Sequence, residues 1–135
     1  MGRPVLRRKS LRECVLDAQV IFVGLQGAED SVLVREVMLA APAGSLSPDE
    51  RHIVEPCGTS LQRAIAASGT VPTYVAPVFE HPLKRPSLDI LYVYLARWNA
   101  DGRLELVAEG AVLPAERLAE VRRVVETSRS GPVSS

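Results

Sequence analysis

The side chains best suited to chemistry are two cysteines and two histidines, and Cys57 stands out among them. It directly precedes Gly58-Thr59-Ser60, and Thr59-Ser60-Leu61-Gln62 has the spacing of a capping box that opens a helix. Free N–H groups and the positive end of the helix dipole would stabilise a thiolate or a ligand anion there. Cys57, Thr59 and Ser60 are therefore candidate ligand-binding residues. The competing use of Cys57 is as a small apolar residue packed at the start of the helix.

A second candidate region is the proline-rich stretch of residues 70–87, with Pro72, Pro77, Pro82 and Pro86. It carries Tyr74, Phe79, His81, Lys84 and Arg85, aromatic and basic groups suited to an anion or a peptide. Proline lowers the entropic cost of holding them ready. Of these, Tyr74, Phe79, His81 and Arg85 are taken as ligand-binding candidates. A third set is Tyr92, Tyr94 and Trp98, which share one face of a strand with a period of two. That face reads as the floor of a pocket or an interface with a partner.

No catalytic residue is assigned. His52 and His81 have no evident nucleophile to serve, and there is neither a Gly-x-Ser-x-Gly element nor a phosphate loop. Cys14, His52, Cys57 and His81 lack the tight pair spacing of a zinc site, so no metal or cofactor is expected. The two cysteines lie 43 positions apart and read as free thiols of a reducing compartment.

The 135 residues fit one domain, with 47% apolar and 24% charged side chains. Formal net charge is zero, but residues 1–12 hold five bases and no acid. A neutral body argues against a nucleic-acid binder. No apolar run approaches the length of a membrane span or a signal-peptide core, so a cytoplasmic protein is expected. Residues 1–10 read as a basic flexible arm, 11–128 as the domain, and 129–135 as a flexible tail.

The elements that must position the candidates follow from patterning. The capping box Ser10-Leu11-Arg12-Glu13 starts a helix to about Ala18. Gln19–Leu25 and Ser31–Leu39 read as strands of a hairpin. Ser47-Pro48-Asp49-Glu50 has the form of another helix start, with a helical turn continuing towards Pro56. The helix opened by Thr59 stops at Gly69. Thr73–Phe79 can only be an edge strand. Leu88–Trp98 is the strongest strand, Asn99–Gly102 a turn, and Arg103–Glu109 the returning strand. Pro114 opens a last helix to about Ser128, with Leu118, Val121, Val124 and Val125 as its apolar stripe. The expected fold is α+β: a mainly antiparallel five- or six-stranded sheet flanked by helices.

This order resembles the GAF-domain family, and so do three stretches of sequence. They are Leu46-Ser-Pro-Asp-Glu-Arg-His52, Cys57 to Pro72, and Val75-Ala-Pro-Val-Phe-Glu-His-Pro82. The likeness covers residues 11–128 in order and is motif-like over residues 46–82, with Glu80 in place of the family's loop acid. It implies a GAF/profilin-like fold, with the sheet as the floor of a small-molecule pocket and the segments after the second strand as its lid. It also implies a non-catalytic regulatory or sensory role, through a small effector, a protein partner or a homodimer. One branch of the family reduces methionine sulfoxide with cysteines, which makes a thiol-dependent reductase using Cys57 an alternative. That chemistry needs a second cysteine before the core strand, and residues 82–90 contain none. A roadblock-like scaffold fits the same order of elements.

Overall fold

The computed structural model describes residues 8–69, 76–83 and 85–129. The element order is β1 (Arg8–Lys9), α1 (Leu11–Asp17), β2 (Val20–Gln26), β3 (Ser31–Ala40), β4 (Arg51–Glu55), α2 (Thr59–Ala67), β5 (Val78–Phe79), β6 (Leu91–Trp98), β7 (Leu104–Leu106), β8 (Val112–Pro114) and α3 (Leu118–Arg129). The fold is α+β, and its main sheet has six strands, antiparallel except for one pairing.

The sheet closes on itself. β2 pairs with β3 on one side and with β6 on the other. β3 pairs with β4, β4 runs parallel to β7, and β7 returns to β6. Five strands thus form a ring, with β8 laid along β6 as a sixth. A ring of five strands in this order has the Greek-key barrel architecture of which the five-stranded OB barrel is one example. Two register shifts between β2 and β3 supply extra coiling for closure. Gly24 in β2 lets the wall bend tightly, because a Cβ there would stand 2.4 Å from Val32 Cγ1 and 3.1 Å from the Leu33 carbonyl oxygen.

Alternation along the strands feeds two cores. Val20, Phe22, Val32, Val34, Val54, Tyr92, Tyr94, Ala96 and Leu104 fill the barrel, with Phe22 stacked on Tyr94 at 5.1 Å. Ile21, Val23, Val93 and Leu95 point outwards and pack under α1 and α3, against Cys14, Val15, Phe79 and Val121. The expected stripe of α3 is seated here, with Val121 fully buried and Leu118, Val124 and Val125 beside it. The Ser10 capping box is formed as expected: the Glu13 N–H donates to Ser10 Oγ at 3.2 Å and the Ser10 N–H to Glu13 Oε1 at 3.0 Å.

Three expectations need correction. The segment after Ser47-Pro48-Asp49-Glu50 is strand β4, not a helical turn. Ser47 and Glu50 do contact one another locally, with the Ser47 N–H donating to Glu50 Oε1 at 3.0 Å. Asp49, however, adopts a left-handed φ of 69°, and Val54 gains ladder partners on both sides. The basic arm is anchored earlier than expected. Arg8–Lys9 form β1 against β5, and Lys9 is only 7% exposed, with its Nζ donating to Asp17 and to the Val107 carbonyl oxygen. The expected strand Thr73–Phe79 is seen as Val78–Phe79, and its first residues lie outside the described ones. Strand β8 was not expected at all.

Candidate functional site

One end of the barrel holds a cavity of about 380 Å³. Its floor is the barrel interior, where Val54, Tyr94, Leu106 and Val112 supply apolar surface. Gln26, Asp30 and Pro56, from the ends of β2, β3 and β4, form the rim with Glu109 and Gly110. Leu83 and Pro86 close over it from the proline-rich stretch. A cavity of this size is at the lower end of the range that takes small ligands.

The polar groups of the wall are fixed. The Tyr94 hydroxyl donates to Gln26 Oε1 at 2.6 Å, and Gln26 Nε2 donates to the Gly27 carbonyl oxygen at 2.9 Å. Burial raises the pKa of Tyr94, so its proton stays in place. The loop over the cavity is held by backbone, through the Leu83 N–H donating to the Gly110 carbonyl oxygen at 3.2 Å. Gly110 permits that approach, because at φ 73° a Cβ would stand 2.6 Å from Pro82 Cβ. The Ser87 N–H donates to the Tyr92 hydroxyl at 2.9 Å and ties down the far end of the same loop.

A second polar cluster lies where β4 meets β7. Glu55 and Glu105 are register partners across that parallel pairing, 5% and 3% exposed. Glu105 accepts the Gly58 N–H at 2.9 Å and the Ser60 N–H at 3.1 Å, and so caps α2, whose N-cap glycine has no side chain to do so. Arg63 forks onto both oxygens of Glu55 at 3.1 and 3.0 Å, and Arg103 adds a third contact at 3.1 Å. Asn99 Nδ2 bridges the two carboxylates at 2.9 and 3.1 Å. The hydrogen bonds from Arg63 hold Glu55 below the usual carboxylate range, despite its burial. Burial pushes Glu105 upward, but the donors from Gly58, Ser60 and Asn99 outweigh it and its pKa is lowered. Both carboxylates are saturated by neighbours, so this cluster is a structural joint.

The predicted site residues scatter. Cys57 is buried, 8% exposed, and the N–H groups beyond it that were to hold an anion are taken by Glu105. Burial raises its thiol pKa and the Glu105 carboxylate adds to the rise, the reverse of an activated nucleophile. Burial pushes Cys14 up to about 12. Thr59 Oγ1 donates to the Pro56 carbonyl oxygen at 2.6 Å. Phe79 lies in the core under the helices, while His81 and Arg85 are exposed and do not line the cavity. Tyr74 lies outside the described residues. Tyr92 and Tyr94 face into the barrel and are buried, so they offer no interface, but Tyr94 does stand in the cavity floor, as the pocket-floor reading of this face expects. Trp98 is half-buried at the barrel's edge, its ring 5.9 Å from that of His52.

The proline-rich stretch was therefore the right segment, but its apolar Leu83 and Pro86 meet the cavity in place of its aromatic and basic residues. Gln26, Asp30, Leu106, Glu109 and Val112 were missed. They come from two stretches far apart in the chain, residues 26–30 and 106–112, and no local pattern joins them. Compared with protein-family models and with curated proteins, the sequence matches none. Among the described residues, no group of three or more His, Cys, Asp or Glu is gathered to hold a metal, and no helix is long and apolar enough to cross a membrane.

The thiols give a direct test. At about pH 8, where an ordinary surface thiol reacts readily, Cys14 and Cys57 should resist a disulfide reagent in the folded chain. Both should react once the chain is unfolded. Rapid labelling of either in the native state would contradict the burial described.

Proposed function

We propose that the chain is a non-catalytic binding domain that takes a small effector at the mouth of its barrel. The observation that carries this reading is the cavity of about 380 Å³, apolar in its floor and bordered by a few oriented polar groups. The reading keeps the regulatory role expected from the sequence and rests on the barrel mouth rather than on the GAF resemblance. A cysteine-based reductase finds no support in Cys57, which is buried, raised in pKa and far in sequence from Cys14. Barrels of this plan also serve as oligonucleotide platforms on their second and third strands. Here β3 and β4 carry Arg35 and Arg51 against Glu36, with Asp49 and Glu50 just ahead of β4, which gives no basic surface for phosphates.

The test is a panel of nucleotides and metabolites screened by thermal shift, with hits mapped by amide and methyl chemical shifts. A true effector should perturb Leu106, Val112 and Tyr94. Leu83→Trp, which fills the mouth from the loop side, should abolish its binding. A panel whose hits all map elsewhere, or bind the Leu83→Trp variant equally well, would remove the mouth as the ligand seat.

A further inference from the structure

We propose that the cavity selects a small apolar ligand bearing a positive charge, an amine or guanidine on an aromatic or branched body. This rests on the barrel mouth being the ligand seat, and adds the charge of the ligand. Among the described lining residues the charged ones are Asp30 and Glu109, both acids and both exposed at the rim. Several carboxylates elsewhere have a cation beside them, Asp17 with Lys9, Glu36 with Arg122, Glu55 with Arg63 and Arg103, Asp101 with Arg63, and Glu120 with Arg117, while Glu29, Asp49, Asp89 and Glu116, like the two rim acids, are in no ion pair among the described residues. Asp30 and Glu109 have no ion-pair partner among the described residues.

The interior repeats that polarity. Tyr94 has committed its proton to Gln26, so its oxygen presents lone pairs. Val54, Leu106 and Val112 give the ligand's body an apolar seat, and the two carboxylates stand where a head group would emerge. An anion would meet two carboxylates and no cation among the described lining residues, and a neutral ligand would gain nothing from them.

Three matched probes separate the possibilities on the full chain: tryptamine, indole and indole-3-acetate, followed by amide chemical shifts. Tryptamine should bind about tenfold more tightly than indole-3-acetate, as two exposed ion pairs can supply, and the gap should shrink as salt is raised. In Asp30→Asn/Glu109→Gln the two probes should bind within about twofold of each other. Both substitutions suit the fold: asparagine tolerates the left-handed φ of 63° at position 30, and the backbone bonds of Glu109 to Pro77 and Phe79 are independent of its side chain. Equal binding of all three probes by the unaltered chain would overturn the charge selection and leave the cavity as an apolar seat. Failure of every probe to perturb the mouth would overturn both readings.

Discussion

Replacing Glu105 with alanine should lower stability by about 3 kcal/mol and unwind α2 first. The carboxylate is buried, accepts two backbone N–H groups of a helix start and one side-chain amide. Bonds to a buried charge are worth about 1.5–3 kcal/mol, and loss of a helix cap about 0.5–2. α2 depends on this cap more than most helices do. Its nine residues include none that is fully buried, so packing gives it little support. Urea denaturation should give the stability change, and hydrogen exchange at Gln62–Ser68 should show local fraying. Glu105→Gln, which keeps an acceptor oxygen, should lose about half as much.

The same group predicts an acid limb. The pKa values of Glu105 and Glu55 are lowered in the folded chain from an ordinary value of 4.5. Below that value the unfolded chain takes up protons before the folded one does. The stabilisation is therefore present above about 4.5 and is lost as the pH falls through the lowered folded values. The Glu105→Ala variant should show a shallower loss of stability over that window. An unchanged slope would contradict the role assigned to Glu105.

Gly110→Ala should be the most damaging glycine substitution at the mouth, at about 3 kcal/mol. An alanine at φ 73° is strained by about 1–2 kcal/mol, and its Cβ would press on the Pro82 backbone at 2.8 Å and on the Leu83 nitrogen at 2.9 Å, adding about 1–3. Gly102 is the internal control. Its φ is 76°, but a Cβ there meets nothing within 4 Å, so Gly102→Ala should lose only the conformational part. Thermal melts of the two variants isolate the contact. Relief by moving residues 82–83 outward would show as altered Leu83 methyl shifts and weaker tryptamine binding. Equal melting of the two variants with unmoved Leu83 signals would rule out the close approach.

Local signals in the sequence located those elements whose partners are near in the chain. The Ser10 box, the hairpin of β2 and β3, the apolar run of β6 and the stripe of α3 all stand where patterning puts them. β4 was misread because Ser47 and Glu50 do form a local contact, while its fate is decided by β3 and by β7 some 50 positions away. Period-two alternation in β6 correctly separated Tyr92 and Tyr94 from Val93 and Leu95. It could not say which face lies inside a ring, and closure buries both. The cavity was illegible for the same reason: closure, not any single motif, brings Gln26, Leu106 and Val112 together.

The ring's parallel seam has a kinetic consequence. β4 and β7 meet through two residue pairs, Val54 with Leu104 and Glu55 with Glu105, across a loop of 50 positions. The β2–β3 hairpin forms from neighbours in sequence, whereas the seam rewards the chain only after that loop is closed. The β2–β6 pairing closes a longer loop but is held by six residue pairs, so the seam, held by two, should breathe open first and expose the interior on a shorter timescale than global unfolding. The Glu55–Glu105 joint, with Arg63, Arg103 and Asn99 upon it, should thus set how long the ring stays shut.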